Sequence, residues 1–156
     1  MIAKLIDAAT MVGELLATDK KGALEELLGH AEAGGAFPQK AQKALQKRLI
    51  DREAIGSTGL GNTVAVPHVK GDEVKQTSLV LARCKKGLDW QAIDGRPVHS
   101  VFLLVSPATQ PEGHLQCLRW IAGLARSADF RRFLLDAKDG NAMRDLLREM
   151  SGKVGS

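Results

Sequence analysis

The chain has 156 residues, 44% of them hydrophobic and 26% charged, which suits one globular domain and excludes a second of ordinary size. Lys and Arg number 22 against 18 Asp and Glu, a formal charge of +4 that permits nucleic-acid binding, but two Trp, four Phe and no Tyr leave little for base stacking. No apolar run reaches the roughly 18 residues of a membrane span, and Cys84 and Cys117, the only cysteines, make neither a disulfide framework nor a CxxC zinc site.

The opening Met1-Ile-Ala-Lys-Leu-Ile-Asp lacks the apolar stretch and cleavage site of a secretory signal. A cytoplasmic protein without membrane insertion is therefore expected. No repeat or low-complexity segment interrupts the chain. Residues 1–150 are expected to form one domain and 151–156 a flexible tail.

The spacing predicts a helix over 19–33, capped by Asp19, with Leu24, Leu27, Leu28 and Ala31 on one face and Gly34-Gly35 as its stop. His30 falls in the last turn, where a cation complements the helix dipole, and is given no function. A second helix is predicted over about 38–53, with Pro38 in its first turn and Ala41, Ala44, Leu45 and Leu49 facing one way. Arg52 continues that face, so its guanidinium is expected at the edge of the core. Lys40, Lys43 and Lys47 form a row on another side, read as a solvated face.

Residues 56–62, Gly-Ser-Thr-Gly-Leu-Gly-Asn, read as a loop, and Thr63-Val-Ala-Val as a short strand stopped by Pro67. Residues 77–83 read as another strand, and 84–97 carry turn chemistry in Lys86-Gly87 and Asp94-Gly95. Residues 98–105 are almost continuously apolar, the mark of a central strand covered on both faces; His99 within them is read as a sheet histidine. Thr109 and Glu112 have capping-box spacing with Pro111 in the first turn, so a helix should follow with His114, Leu118, Ile121 and Ala125 on one face. Two shorter helices are expected near 128–137 and 140–149. This order predicts an α/β fold, a three-layer α/β/α sandwich with a mixed, mostly parallel central sheet. Cys84 at a strand end and Cys117 beside an apolar helix face read as structural.

Among the residues able to do chemistry, His68 has the most informative setting. It follows Pro67 at the end of a short strand that leaves the glycine-rich loop. Proline fixes its own φ and lacks an N–H, so the backbone entering His68 is stiff enough to aim an imidazole into a cleft. The glycine loop lacks the Gly-Lys-Ser/Thr of a phosphate-binding loop and no helix opens after it, which disfavours nucleotide binding. His114 sits in the first turn of its helix, where backbone N–H groups favour an anion over an imidazolium. A neutral imidazole there can donate a hydrogen bond to phosphate.

The stretch Arg52-Glu53-Ala-Ile-Gly-Ser57-Thr58-Gly59-Leu-Gly61-Asn62-Thr-Val-Ala-Val-Pro67-His68 resembles the signature of enzyme IIA domains of the fructose–mannitol family of the bacterial phosphotransferase system. The resemblance continues through Lys86-Gly-Leu-Asp-Trp-Gln-Ala-Ile-Asp94-Gly95-Arg-Pro97-Val, the strand Val101-Phe-Leu-Leu-Val105 and His114-Leu115, and covers most of residues 10–137. It implies a phosphohistidine carrier. His68 would accept a phosphoryl group on Nε2 from phospho-HPr, or from a nitrogen-type HPr, with Nδ1 anchored by a backbone carbonyl. Arg52 would stabilise the phosphate through a bidentate contact, and His114 would add a hydrogen bond that strengthens as charge develops. Ser57, Thr58, Gly59 and Asn62 would line the site. No cofactor or metal is implied, since donor and recipient are both proteins. The recipient is either the cysteine of an enzyme IIB, for sugar uptake, or a transporter or kinase regulated by the phosphorylation state, as in the nitrogen-related branch. A chain with no attached IIB or membrane domain fits either role.

Overall fold

The computed structural model describes residues 1–152. Its elements are α1 (Ile2–Ala8), β1 (Thr10–Val12), α2 (Lys20–Ala33), a 3₁₀ turn (Gln39–Ala41), α3 (Gln42–Ile55), β2 (Gly59–Gly61), β3 (Val64–Ala65), β4 (His68–Gly71), β5 (Ser78–Leu88), β6 (Val98–Pro107), α4 (Pro111–Arg126), α5 (Ala128–Asp136) and α6 (Gly140–Ser151). The strands form one sheet in the order β1-β5-β6-β3-β2, with β4 also on β6. The pairings β1–β5, β3–β6 and β4–β6 are parallel, β5–β6 and β2–β3 antiparallel, so the sheet is mixed and mostly parallel.

Side-chain alternation explains the layers. On β5, Val80 and Ala82 face one side while Leu79 and Leu81 face the other; on β6, Val101, Leu103 and Val105 oppose Phe102 and Leu104. The first set packs under α2 and α3 through Leu24, Leu27, Leu28, Leu45 and Leu49, the second under α1, α4, α5 and α6 through Ile6, Ile121, Leu124, Phe130, Leu134 and Leu147. All of these side chains are buried, each one larger than alanine contributing roughly 1.5–3 kcal/mol of hydrophobic stabilisation. The chain is thus the expected α/β/α sandwich, with β6 its doubly covered central strand.

Local chemistry sets the helix ends. Asp19 Oδ1 accepts from Gly22 N at 2.8 Å to open α2. Gly35, at φ 88°, closes it: Gly35 N donates to Glu32 O and Ala36 N to Ala31 O, the paired bonds of a Schellman end. Several expectations shift. Pro38 precedes a 3₁₀ turn, and the α-helix begins only at Gln42. Gln110, not Thr109, is the N-cap of α4, because Pro111 takes the first helical position. Part of the expected 56–62 loop is strand β2, paired to β3 through a two-residue turn whose centres, Asn62 and Thr63, both have positive φ. β5 runs through the expected turn at Lys86-Gly87; Gly87, at φ 81°, lies where the β5–β6 register shifts, so it supplies a bulge, not a stop. Ser151 ends α6, and Gly152 caps it; residues 153–156 of the expected tail lie outside the described residues. α1 and β1 were not expected.

Candidate functional site

β3 and β4 form one interrupted line along β6. Val64 and Ala65 pair with Ser100 and Val101, and His68–Gly71 with Leu104–Pro107. The break is Val66-Pro67, where proline has no N–H to give a ladder but its carbonyl still accepts from Leu104 N at 3.1 Å. β4 pairs with β6 alone, so its other edge is open. At that edge the C-terminal end of α3 and the N-terminal turns of α4 leave a cleft of about 580 Å³.

His68, Arg52 and His114 all line this cleft, so the structure brings together the three residues read as chemical from the sequence. His68 is half-buried and its Nδ1 lies 2.8 Å from Val66 O. A carbonyl can only accept, so Nδ1 carries the hydrogen and Nε2 keeps its lone pair. The His114 ring stands with its centroid 5.5 Å from that of His68. It is 5% exposed, its Nδ1 is 2.7 Å from Ser106 Oγ, and its Nε2 is buried without a partner. Burial chiefly, then the neighbouring His68 and Lys70, lowers its pKa from 6.5 to about 4, so the ring is neutral at pH 7. Neutrality was expected from the helix end; burial is the larger cause.

Arg52 Nη1 donates to Gly56 O at 2.6 Å, which ties the guanidinium to the end of its own helix. Arg48 and Lys70 also line the cleft and were not singled out in the sequence. Arg48 makes two bonds to the Glu73 carboxylate, at 3.2 and 3.1 Å, and the pairing lowers the Glu73 pKa. Arg52 and Lys70 have no carboxylate partner among the described residues, so the cleft carries net positive charge. Its remaining wall is apolar: Val69, Pro111, Leu115 and Leu118, with Leu115 largely exposed. The spacing could have flagged Lys70, two residues beyond His68 on one strand face, and Arg48, one helical turn before Arg52.

Ser57, Thr58, Gly59 and Asn62 are not brought to the cleft. Ser57 Oγ donates to Trp90 O at 2.8 Å and accepts from Gly59 N at 3.0 Å. Thr58 is bonded through its backbone N and its hydroxyl to the Glu53 carboxylate, and Trp90 Nε1 donates to its Oγ1. Lys20 pairs with the same carboxylate at 2.5 Å and donates to Trp90 O. Gly59 is where Ala92 comes closest: a Cβ there would stand 2.7 Å from the Ala92 Cβ. Asn62 sits at the turn, its N donating to Asp94 Oδ2. Together these residues clamp the 56–62 segment to the loop around Trp90.

His99 Nδ1 donates to Cys84 O within the sheet, and both cysteines are buried and free. Among the described residues no three His, Cys, Asp or Glu side chains are grouped to hold a metal ion, and no helix is long and apolar enough to cross a membrane.

A family model described as "Phosphoenolpyruvate-dependent sugar phosphotransferase system, EIIA 2" matches residues 4–150. The fructose-specific EIIA component of Haloferax volcanii is 33% identical over 131 residues, 84% of either chain. The nitrogen regulatory protein of Bradyrhizobium diazoefficiens is 32% identical over 146 residues, 94% of either chain. The fructose-specific EIIABC component of Bacillus subtilis is 26% identical over 148 residues, but the chain spans only 23% of its length. Among solved structures, nitrogen regulatory protein IIA-Ntr from Neisseria meningitidis superposes with a TM-score of 0.84 at 28% identity, covering 94% of this chain and 98% of that one.

Proposed function

The chain belongs to the EIIA 2 family of the phosphoenolpyruvate-dependent sugar phosphotransferase system, and on that premise we propose that His68 Nε2 is its phosphoryl acceptor. The observation that carries this reading is the bond from His68 Nδ1 to Val66 O, which leaves the Nε2 lone pair beside a cationic cleft.

The transfer balances without a catalytic proton. The donor is a phosphohistidine protonated on its second nitrogen. As its N–P bond breaks, that ring becomes a neutral imidazole. As the P–N bond forms on His68 Nε2, the His68 ring keeps its Nδ1 hydrogen and takes up the positive charge. Val66 O stabilises that hydrogen throughout. Such a transfer depends mostly on positioning and electrostatics. Arg52 turns toward the phosphoryl oxygens, and neutral His114 donates from Nε2, in a site already partly shielded from water.

The donor is phospho-HPr or a nitrogen-type HPr, which places the work in the cytoplasm. The apolar wall of Pro111, Leu115 and Leu118 beside the cations suits docking of a protein donor. We read the output as regulatory, with the phosphate on His68 altering the docking of a transporter or kinase. The near end-to-end likeness to the nitrogen regulatory protein supports this. The likeness to a fructose-specific EIIA component supports the alternative, donation to the cysteine of an enzyme IIB for sugar uptake.

Incubation with phosphoenolpyruvate, enzyme I and HPr should add one acid-labile phosphate by mass measurement, and His68→Ala should abolish it. A phosphate that survives His68→Ala overturns the acceptor assignment. Adding IIB partners then separates the outputs: rapid discharge to a IIB cysteine favours sugar transfer, and retention of the phosphate favours signalling.

A further inference from the structure

Ser106 is fully buried on β6. It shares strand parity with Phe102 and Leu104, so it points to the α4 side of the sheet, where His114 lies. Its register partner on β4 is Lys70, two residues beyond His68. Its hydroxyl lies 2.7 Å from His114 Nδ1, and no other hydrogen-bond partner of Oγ occurs among the described residues.

That contact can be made in two ways. If His114 Nδ1 held the hydrogen and donated to Ser106, the serine hydrogen would be buried with no acceptor, and Nε2 would be a buried lone pair unable to donate. If the serine donates to Nδ1, the serine hydrogen and Nδ1 are both satisfied, and Nε2 carries the ring hydrogen. Buried polar groups without partners are rare and costly. The second arrangement leaves one such atom, His114 Nε2, which is one of only two buried side-chain nitrogens or oxygens left without a partner among the described residues. That unsatisfied atom belongs to the ring tilted at 57° beside His68, where an incoming phosphoryl oxygen would satisfy it.

We propose that Ser106 is a positioning residue for phosphoryl transfer: its hydroxyl donates to His114 Nδ1 and so holds the ring hydrogen on Nε2 for the phosphoryl group. The role rests on the reading of His68 as acceptor. Ser106 touches no substrate itself; it determines whether a neutral His114 is a donor or an acceptor.

Long-range proton–nitrogen NMR of the ¹⁵N-labelled chain at pH 7 reads the tautomer directly. His114 should be the Nε2–H form in the wild type and in Ser106→Thr, which keeps the hydroxyl, and should become a mixture or the Nδ1–H form in Ser106→Ala. In single-turnover transfer from phospho-HPr, Ser106→Ala should be about tenfold slower, and Ser106→Thr close to wild type, the tenfold step corresponding to one hydrogen bond. In a His114→Ala background, Ser106→Ala should add no further slowing. An Nδ1–H tautomer in the wild type overturns the proposal, as does equal slowing by Ser106→Ala in both backgrounds, which would mark a merely structural serine. The wild-type tautomer decides the matter even if Ser106→Ala fails to fold. A wild-type protein that accepts no phosphate would refute the His68 reading and leave the tautomer result standing.

Discussion

Acidification tests the burial of His114. In the folded chain its ring stays neutral down to about pH 4, while in the unfolded chain it takes a proton near 6.5. Between those values the unfolded state binds more protons, so stability falls as pH drops through 6.5 and the loss levels off below about 4. The gap corresponds to about 3 kcal/mol when fully expressed and to about 2 kcal/mol at pH 5, measured from pH 8. The group is 5% exposed, so solvent screens little of this. Urea unfolding of the wild type and of His114→Gln at pH 8, 6 and 5 isolates the contribution, because every other titrating group is common to both. The difference between the two proteins should shift by about 2 kcal/mol toward the variant over that range. Parallel profiles would refute the reasoning: the ring would then be solvated, and its Nε2 would not be the unpartnered donor facing the phosphate.

Three further perturbations probe the site and its frame. Arg52→Ala should leave the circular dichroism spectrum unchanged and slow single-turnover transfer from phospho-HPr by about 100-fold, the order expected for one charge-assisted contact to the developing charge; an unchanged rate would reject its role. Gly59→Ala places a Cβ 2.7 Å from the Ala92 Cβ and 3.0 Å from its Cα, so urea unfolding should show a loss of about 1–3 kcal/mol, and no loss would mean the Ala92 backbone yields freely. Arg83→Met removes a buried guanidinium that donates to Gly13 O, Leu134 O and Ala137 O, leaving carbonyls short of donors at the end of α5. A stability loss of about 3 kcal/mol is expected; a variant as stable as the wild type would show that water replaces those bonds.

The long elements were legible because their patterns were long. The 98–105 run announced a doubly covered strand, and Leu24, Leu27, Leu28 and Ala31 of α2 repeat at helical spacing over two turns. Short pieces were not. β1 is three residues wide, and β2 is Gly-Leu-Gly, which offers no alternation of side chains to read. α1 does carry Ile2, Leu5 and Ile6 at helical spacing, but seven residues hold too few repeats to stand out. Two punctuation marks had second meanings. Gly87 permits positive φ, which serves a bulge as well as a turn. At the start of α4, Pro111 and the Thr109–Glu112 spacing gave competing starts one residue apart, and the proline prevailed because its missing N–H costs nothing at the first helical position.

The site divides along the same line. Arg52, His68 and His114 each sit at the end of an element, and element ends can be located in a sequence. Lys70 and Arg48 lie one strand repeat from His68 and one helical turn from Arg52, a spacing open to reading once those two are chosen. Ser106 depends on which edge of β6 receives β4 and in what register, and no local pattern states that. The four loop residues show how a long motif can mislead about contacts. Ser57, Thr58, Gly59 and Asn62 lie in sequence between Arg52 and His68, yet their polar atoms turn to Trp90, Glu53 and Asp94. Their task follows from the layers. α3 lies on one face of the sheet and α4 on the other, so Arg52 and His114 reach the same cleft only if the chain leaves α3 and returns along the sheet edge at one fixed place. The clamp of Lys20, Glu53, Thr58 and Trp90 fixes that return, the hairpin closes it, and Pro67 interrupts the strand just before the imidazole. A loop that must hold two layers in register is as constrained in sequence as one that touches substrate, which is why the segment looks catalytic when read as a string and structural when folded.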